Sequence, residues 1–369
     1  MVCKIVPPLL IALLAGCSEP PPRPSLVFVL AEALSGGDTG CGGSPTARTP
    51  HVDALARNGL QFRTCVTQSP HPVPALASLL TGRYPSGHGA NLPGREIAPG
   101  VPMLAENIRS RSYRTAAFLA GDFPEKGVGL QNGFDVFDSG ANGIAAFPDE
   151  GEGPGSSDVD VIEAALSWVR SDWKPCFLLV CPSGSAEEVD RAAGRLRRGL
   201  ARHGTAAHTF WLFSALRGGR EDDGPEARPL TRRELEVPMI VASPRWISAA
   251  LRDDPAMLID AVPTALQCLG FAPTRVPGHG LLHRAADGDG NGAGRTLVAE
   301  DAAAHAKAVR VGDRKAVHDE TSGTWRVYDL TVDPAETSDV AATEPNVLRL
   351  LQQAMPESGM FDVPPPGEG

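Results

Sequence analysis

The chain has 369 residues, 42% of them hydrophobic, so it is long enough to bury one large core and to carry a smaller second unit. Its 34 Lys and Arg against 44 Asp and Glu give a formal net charge of −10, which argues against a general affinity for nucleic acid. The 40 glycines and 34 prolines are spread along the chain, which indicates a folded protein with many loops and argues against wholesale disorder.

The amino terminus predicts export and lipid attachment. Lys4 precedes an apolar run over 5–14, which is too short to span a bilayer. The run ends in the sequence LAGC, which is similar to the cleavage site of a bacterial lipoprotein and has Cys17 as its last residue. We predict a signal peptide over 1–16, a lipidated Cys17 and a stiff proline-rich tether over 17–24. The predicted location is the bacterial cell envelope, at the outer membrane and facing the periplasm or the exterior; an ordinary signal peptide with an incidental cysteine is the alternative.

Apolar runs alternate with amphipathic segments through the first 270 residues. Thr49-Pro50 predicts the start of a helix, and Ser185 with Glu188 forms a capping box at the start of another. The alternation predicts an α/β fold with a doubly wound, mostly parallel sheet flanked by helices. The predicted strands are 26–31, 115–120, 176–181, 209–214 and 237–242, and the predicted helices between them are 159–169, 185–203 and 258–269.

The sequence changes character beyond Gly270. The segment DGDGNGAGR over 287–295 begins like a calcium-binding loop, but Val298 stands where such a loop needs an acid, so we predict a flexible turn. Alternating segments over 308–311 and 324–328 predict a small antiparallel unit. The predicted domains are 25–283 for the α/β domain, 284–355 for the C-terminal subdomain and 356–369 for a disordered tail.

The helix predicted over 185–203 is rich in arginine. A solvated face is the default interpretation, and contact with anionic headgroups is the alternative. The arginines are Arg191, Arg195, Arg197, Arg198 and Arg202.

Three longer segments carry a specific pattern: RTPHVDALARNGLQF from Arg48, PALASLLTGRYPSGHG from Pro74 and VYDLTVDPAETSDVA from Val327. Together with the block RPSLVFVLAEALSGGDTGCGG from Arg23 and shorter blocks further along, they resemble the sulfatase family of the alkaline phosphatase superfamily, from about residue 23 to residue 341. The resemblance implies the sulfatase fold, hydrolysis of sulfuric esters, a formylglycine made from a Cys or Ser, and Ca²⁺ or Mg²⁺ held by carboxylates.

The family's nucleophile position falls on Pro72, which has no side-chain oxygen or sulfur and cannot become formylglycine. The motif's arginine falls on Leu76, and His88, which matches a further family position, is expected to cap a turn. We therefore predict that no catalytic residue is intact and that Pro72, Leu76 and His88 are vestigial positions. No base for Ser69 or Ser78 is evident in the sequence.

The family's metal ligands are also replaced. The first pair of aspartates falls on Glu32 and Ala33, and the second pair falls on Leu216 and Arg217. A lone carboxylate beside an arginine will not hold a cation that needs six to eight oxygens, so we predict no intact metal site and no cofactor. We expect the Arg217 guanidinium to occupy the cation position within about 4 Å of Glu32, with Asp38 as a further candidate partner.

The leading hypothesis is a membrane-anchored sulfatase-like lipoprotein that is catalytically inactive and has a binding or scaffold role. Its predicted partners are the membrane, through Cys17, and an unidentified protein or glycan, but no nucleic acid. The alternative is a divergent hydrolase of sulfuric or phosphoric esters with an improvised site built from Glu32, Asp38, His71 or His88. A gene product without a selected role is the third interpretation.

Overall fold

The computed structural model describes residues 23–121, 123, 128–140, 158–172, 174–202, 204–219, 228–272, 274–282 and 294–355. The predicted signal peptide, Cys17, most of the tether, most of the 287–295 segment and the 356–369 tail lie outside these ranges.

An eight-stranded sheet forms the centre of the protein, in the order β5-β4-β6-β1-β7-β8-β2-β9. All neighbours in it are parallel except β8, which runs antiparallel to both β7 and β2. This confirms the predicted α/β fold. The strands of this sheet are β1 (Ser25–Ala33), β2 (Gly59–Phe62), β4 (Arg114–Leu119), β5 (Val136–Asp138), β6 (Cys176–Cys181), β7 (Thr209–Arg217), β8 (Met239–Ala242) and β9 (Ala250–Arg252); β3 (Cys65–Val66) and β10 (Ala256–Met257) pair separately.

Two strand boundaries differ from the prediction for backbone reasons. The strands β1 and β7 continue past their apolar runs because their pairing extends to Ala33 opposite Arg217. The strand β8 starts at Met239, two residues later than predicted, because Pro238 has no N–H to donate to a ladder. Glu32 and Arg217 therefore lie within the last two residues of adjacent strands.

Helices cover both faces of the sheet. The capping box at Ser185 is confirmed, since the Ser185 N–H donates to the Glu188 carboxylate at 2.7 Å. The segment predicted over 258–269 begins with a 3₁₀ turn at Leu258–Asp260 before the α-helix. Within the described ranges, every helix is too short or too polar to cross a bilayer. The helices are α1 (Pro50–Arg57), α2 (Pro72–Thr81), α3 (Pro85–His88), α4 (Leu104–Arg109), α5 (Asp158–Ser171), α6 (Ala186–Arg202), α7 (Arg232–Leu235), α8 (Ala261–Cys268) and α9 (Pro345–Ala354).

A second sheet of four antiparallel strands lies in the C-terminal part, as predicted: β11 (Thr296–Asp301), β12 (Ala306–Val311), β13 (Arg314–Asp319) and β14 (Thr324–Asp329). Its buried face shares one hydrophobic cluster with Tyr84 and Met257 of the α/β part. The Glu300 carboxylate also accepts the N–H of Ser86 at 2.7 Å. The small sheet is thus packed against the segments that surround α2.

Candidate functional site

A cavity of about 530 Å³ opens at the carboxyl ends of β1 and β7, between the α/β part and the C-terminal sheet. Four positions that the sequence singled out lie together in its wall: Glu32, His71, Pro72 and Arg217. The sequence did not predict the other charged groups of this wall, because no motif links them to the strand ends. Those groups are Arg228, Glu234, Asp301, Asp319 and Arg326.

The predicted ion pair between β1 and β7 is confirmed. Nη2 of Arg217 lies 3.5 Å from Oε1 of Glu32, and the two side chains are 21% and 30% exposed. Glu32 also lies close to the backbone of Gly121, where a Cβ would come within 2.9 Å of its Oε2. The guanidinium therefore neutralises the carboxylate at the end of β1.

The suggested contact between Asp38 and Arg217 is wrong. One oxygen of Asp38 accepts the N–H of Ser35 at 3.1 Å, which closes a short 3₁₀ turn. The other oxygen lies 3.8 Å from the guanidinium of Arg233. Asp38 consequently belongs to the loop after β1 and is paired with another arginine.

The positions assigned to the cation do not fit a hard divalent metal. Leu216 is fully buried, and its carbonyl accepts the hydroxyl hydrogen of Thr67 at 2.6 Å. Ala33 offers no ligand side chain, and Glu32 is already paired with a guanidinium. In the part of the chain that the structure describes, no group of three or more His, Cys, Asp or Glu could hold a metal ion. Ca²⁺ and Mg²⁺ require several oxygens, which these residues do not supply.

The start of α2 has lost most of the donors that make a helix N-terminus bind anions. Pro72 and Pro74 have no N–H, and the N–H of Ala75 is already bonded to the carbonyl of His71 at 3.0 Å. Among the first four residues of the helix, Val73 alone keeps an N–H outside the helical bonds. This site can offer an anion one backbone donor from the first turn.

Leu76 lies in the core instead of the cavity. Its side chain is fully buried, and it belongs to the main hydrophobic cluster together with Leu79 and Leu80. The position that the resemblance assigns to an arginine therefore stabilises the contact of α2 with the core.

His88 forms a buried pair with Ser78, a contact that the sequence did not predict. The Nε2 and Oγ atoms are 3.0 Å apart, and both side chains are fully buried. Nδ1 accepts the N–H of Ala90 at 3.2 Å, which confirms the expected turn contact and leaves the ring hydrogen on Nε2. Burial lowers the pKa of His88 to about 3, so the ring is neutral near pH 7. Because His88 donates to Ser78, it does not act as a base toward that hydroxyl, and neither residue lines the cavity.

His71 forms the second histidine pair, and this one faces the cavity. Its Nε2 lies 3.1 Å from Oδ1 of Asp301, and the side chains are 45% and 9% exposed. Burial raises the pKa of Asp301, but hydrogen bonds from His71 and from the N–H groups of Ala303 and Ala304 outweigh it and hold the pKa below its usual value. The two residues are 230 positions apart, so the sequence carried no signal for this pair.

A model of the sulfatase family matches residues 24–191, which include β1, α2 and His88. Two curated relatives are the ulvan-active sulfatase of Formosa agariphila, 35% identical over 98 residues, and arylsulfatase A of Homo sapiens, 37% identical over 133 residues. Residues 24–191 of the chain therefore form a sulfatase-family region. The matched stretches cover 27% and 34% of this chain but only 19% and 25% of those relatives.

Solved structures extend the likeness in fold over nearly the whole length of the chain. The phosphonate monoester hydrolase of Agrobacterium radiobacter has a TM-score of 0.71 and 17% identity, with 90% of this chain and 96% of that chain covered. Ps i-CgsB in complex with k-i-k-neocarrahexaose has a TM-score of 0.74 and 21% identity, with 92% and 94% covered. At these identities the likeness concerns the fold.

Proposed function

We propose that this chain is a sulfatase-like, lipid-anchored protein of the bacterial cell envelope that does not hydrolyse esters and has a binding or scaffold role. The observation that carries the proposal is the ion pair between Arg217 and Glu32, at the strand ends where the family pattern places a divalent cation. A fixed guanidinium supplies positive charge there, but it cannot bind and activate a nucleophile as a metal does.

The nucleophile position supports the same proposal. Pro72 lies in the cavity wall at the first residue of α2, where its ring offers no atom that could attack sulfur or phosphorus. The adjacent Pro74 and the hydrogen bond of Ala75 remove further donors that would stabilise an anionic ester. Replacement of the nucleophile, of the cation ligands and of the backbone donors around one cavity favours an inactive site over a partly impaired one.

The lipid anchor is a separate part of the proposal and depends on the sequence LAGC that ends at Cys17. The described chain starts at Arg23 and enters β1 at Ser25, so a tether over 17–24 would connect the lipid directly to the central sheet. Mass spectrometry of the mature protein, with acyl chains expected on Cys17, tests the anchor.

The cavity itself favours a binding role. Arg228 and Arg326 line it beside Arg217, and guanidinium groups suit sulfate and carboxylate oxygens. The same wall also carries the acids Glu32, Glu234, Asp301 and Asp319. We infer that the partner, a glycan or a protein segment, presents both hydrogen-bond donors and anionic or other acceptor groups.

The pair of His71 and Asp301 is the one observation that favours the alternative, a divergent hydrolase of sulfuric or phosphoric esters. The imidazole is nearly half exposed and borders the cavity, so it could attack or transfer a proton there. A hydrolase built on this pair would depend on His71 and would not need formylglycine.

A thermal melt with added cation tests whether Arg217 has replaced the metal. We expect the melting temperature to be the same in 10 mM CaCl₂, in 10 mM MgCl₂ and in EDTA, because the described residues contain no cluster of acids or histidines that could bind either ion. A cation present at about a hundred times its Kd would stabilise the folded state by about 2.7 kcal/mol, which is a rise of several degrees. A saturable rise in melting temperature that disappears in Glu32→Gln would contradict the proposal.

A further inference from the structure

The edge of the central sheet opposite the cavity has an unusual composition. The strands β1, β4, β5, β6 and β7 are mutually parallel, and β2 and β9 point the same way, so their amino ends meet at this edge. The strand β8 is antiparallel and ends there. The short segments that enter or leave these strands therefore form one continuous surface, which we call the basic edge.

Cations greatly outnumber acids in the segments that form the basic edge. These segments are 23–24, 57–58, 109–114, 132–135, 170–175, 202–208 and 243–249, and their only two acids within the described residues are Asp135 and Asp172. Both are already paired, with Arg109 at 2.7 Å and with Lys174 at 2.9 Å. The surface is thus strongly positive in a chain whose net charge is −10. Its nine cations are Arg23, Arg57, Arg109, Arg111, Arg114, Arg170, Lys174, Arg202 and Arg245.

The helix α6 extends the positive surface. It starts after the carboxyl end of β6 and ends at Arg202, just before β7, so it runs toward the basic edge. Arg195 and Arg198 are exposed on it, and Arg197 and Arg198 border an apolar groove of about 520 Å³ between α6 and the segment after β8. Apolar surface next to cations is typical of proteins that lie on anionic bilayers.

Trp246 adds an aromatic anchor to the basic edge. Its side chain is 41% exposed, which makes it one of the few large hydrophobic residues on the described surface. The indole is stacked on Phe210, with ring centroids 5.0 Å apart and an interplanar angle of 19°, so its position is fixed. Tryptophan is favoured at the interface between bilayer and water, because one end of its ring is apolar and the other can hydrogen-bond.

The chain also enters the fold at this edge. Arg23 donates to the carbonyl of Arg111 at 2.8 Å and lies over the ring of Tyr113, 4.4 Å from its centroid. Arg23, the first described residue, therefore lies at the same surface that carries the cations.

We propose that the basic edge docks on the surface of an anionic bilayer, with Trp246 at the headgroup level and the cavity facing away from the membrane. The proposal depends on described residues and stands without the lipid on Cys17. Nucleic acid would also suit the positive charge, but the exposed indole, the neighbouring groove and the point of chain entry favour a bilayer.

The test is sedimentation of the unlipidated Cys17→Ser chain with phosphatidylcholine vesicles that contain either no anionic lipid or 30% phosphatidylglycerol. We expect binding to the anionic vesicles alone, and its loss in 0.5 M NaCl, since salt screens headgroup charge. Each basic residue near the surface contributes about fivefold to partitioning, so the triple variant Arg57→Glu, Arg202→Glu and Arg245→Glu should bind at least a hundredfold more weakly. Trp246→Ala should weaken binding as well.

The matched control reverses three exposed arginines elsewhere, Arg48→Glu, Arg63→Glu and Arg349→Glu, and should retain most of the binding because it leaves the basic edge intact. The proposal is overturned if anionic vesicles do not bind the Cys17→Ser chain, if both triple variants lose binding equally, or if a DNA duplex or RNA homopolymer binds more tightly than the vesicles. Failure of the lipid anchor would be seen in a separate measurement. The unmutated chain would then be released from isolated cell membranes as readily as the Cys17→Ser chain, and the vesicle result would be unaffected.

Discussion

Leu76→Arg should lower the free energy of unfolding by about 4 kcal/mol or more, although it restores the arginine of the family motif. Leu76 is fully buried and packs in the main hydrophobic cluster, so a guanidinium at this position would lose its water and find no carboxylate partner. The substitution also removes the apolar contacts that hold α2 against the core. Urea titration of the wild type and the variant measures the difference.

The control for this prediction is Leu350→Arg, the same change on α9, where the side chain is 66% exposed. It should alter the free energy of unfolding by no more than about 0.5 kcal/mol. If both variants are equally stable, the arginine side chain at position 76 must be able to reach the polar groups of the cavity. The site would then be only a few substitutions from its family form.

Arg295→Met should cost about 3–5 kcal/mol, because it leaves a buried carboxylate without its countercharge. The guanidinium of Arg295 binds both oxygens of Asp260, at 2.6 and 2.7 Å, and the two side chains are 6% and 0% exposed. This pair joins the residue before β11 to the turn before α8. Since Asp301 at the end of β11 reaches the cavity, the pair also fixes one wall of the site.

The exposed pair of Arg63 and Asp253 provides the comparison. Its nitrogen and oxygen are 2.6 Å apart, but the side chains are 61% and 85% exposed, so Arg63→Met should cost less than about 1 kcal/mol. Equal losses in the two arginine variants would show that burial of the Arg295 pair contributes little, and that the C-terminal sheet is held by other contacts.

Much of the fold could be predicted from the sequence because the central strands are buried on both faces. Such strands appear as continuous apolar runs, and the run over 176–181 coincides with β6. The ends of β1 and β7 could not be predicted in the same way, because backbone pairing there continues through Glu32 and Arg217, which are polar. The start of β8 was shifted by Pro238, whose effect depends on hydrogen bonding and not on hydropathy.

The candidate site was predictable where its residues belong to one motif or to two adjacent strand ends. The resemblance to the sulfatase family implied that Glu32 and Arg217 lie at one cation position. Their contact then followed from charge, since an isolated charge at a partly buried position needs a partner. The pair of His71 and Asp301 and the pair of Ser78 and His88 could not be predicted. Each depends on tertiary packing, of the C-terminal sheet in one case and of α3 against α2 in the other.

The most direct test of lost catalysis is the turnover of 4-nitrophenyl sulfate and 4-nitrophenyl phosphate by the purified protein, produced with a formylglycine-generating enzyme and assayed with Ca²⁺ or Mg²⁺. We predict no turnover above the rate without protein. We predict the same result for Pro72→Cys, because Ala33, Leu216 and Arg217 still provide no cation site and Leu76 provides no arginine. Product formation that increases in proportion to protein and is abolished by His71→Ala would contradict the account and identify a divergent hydrolase.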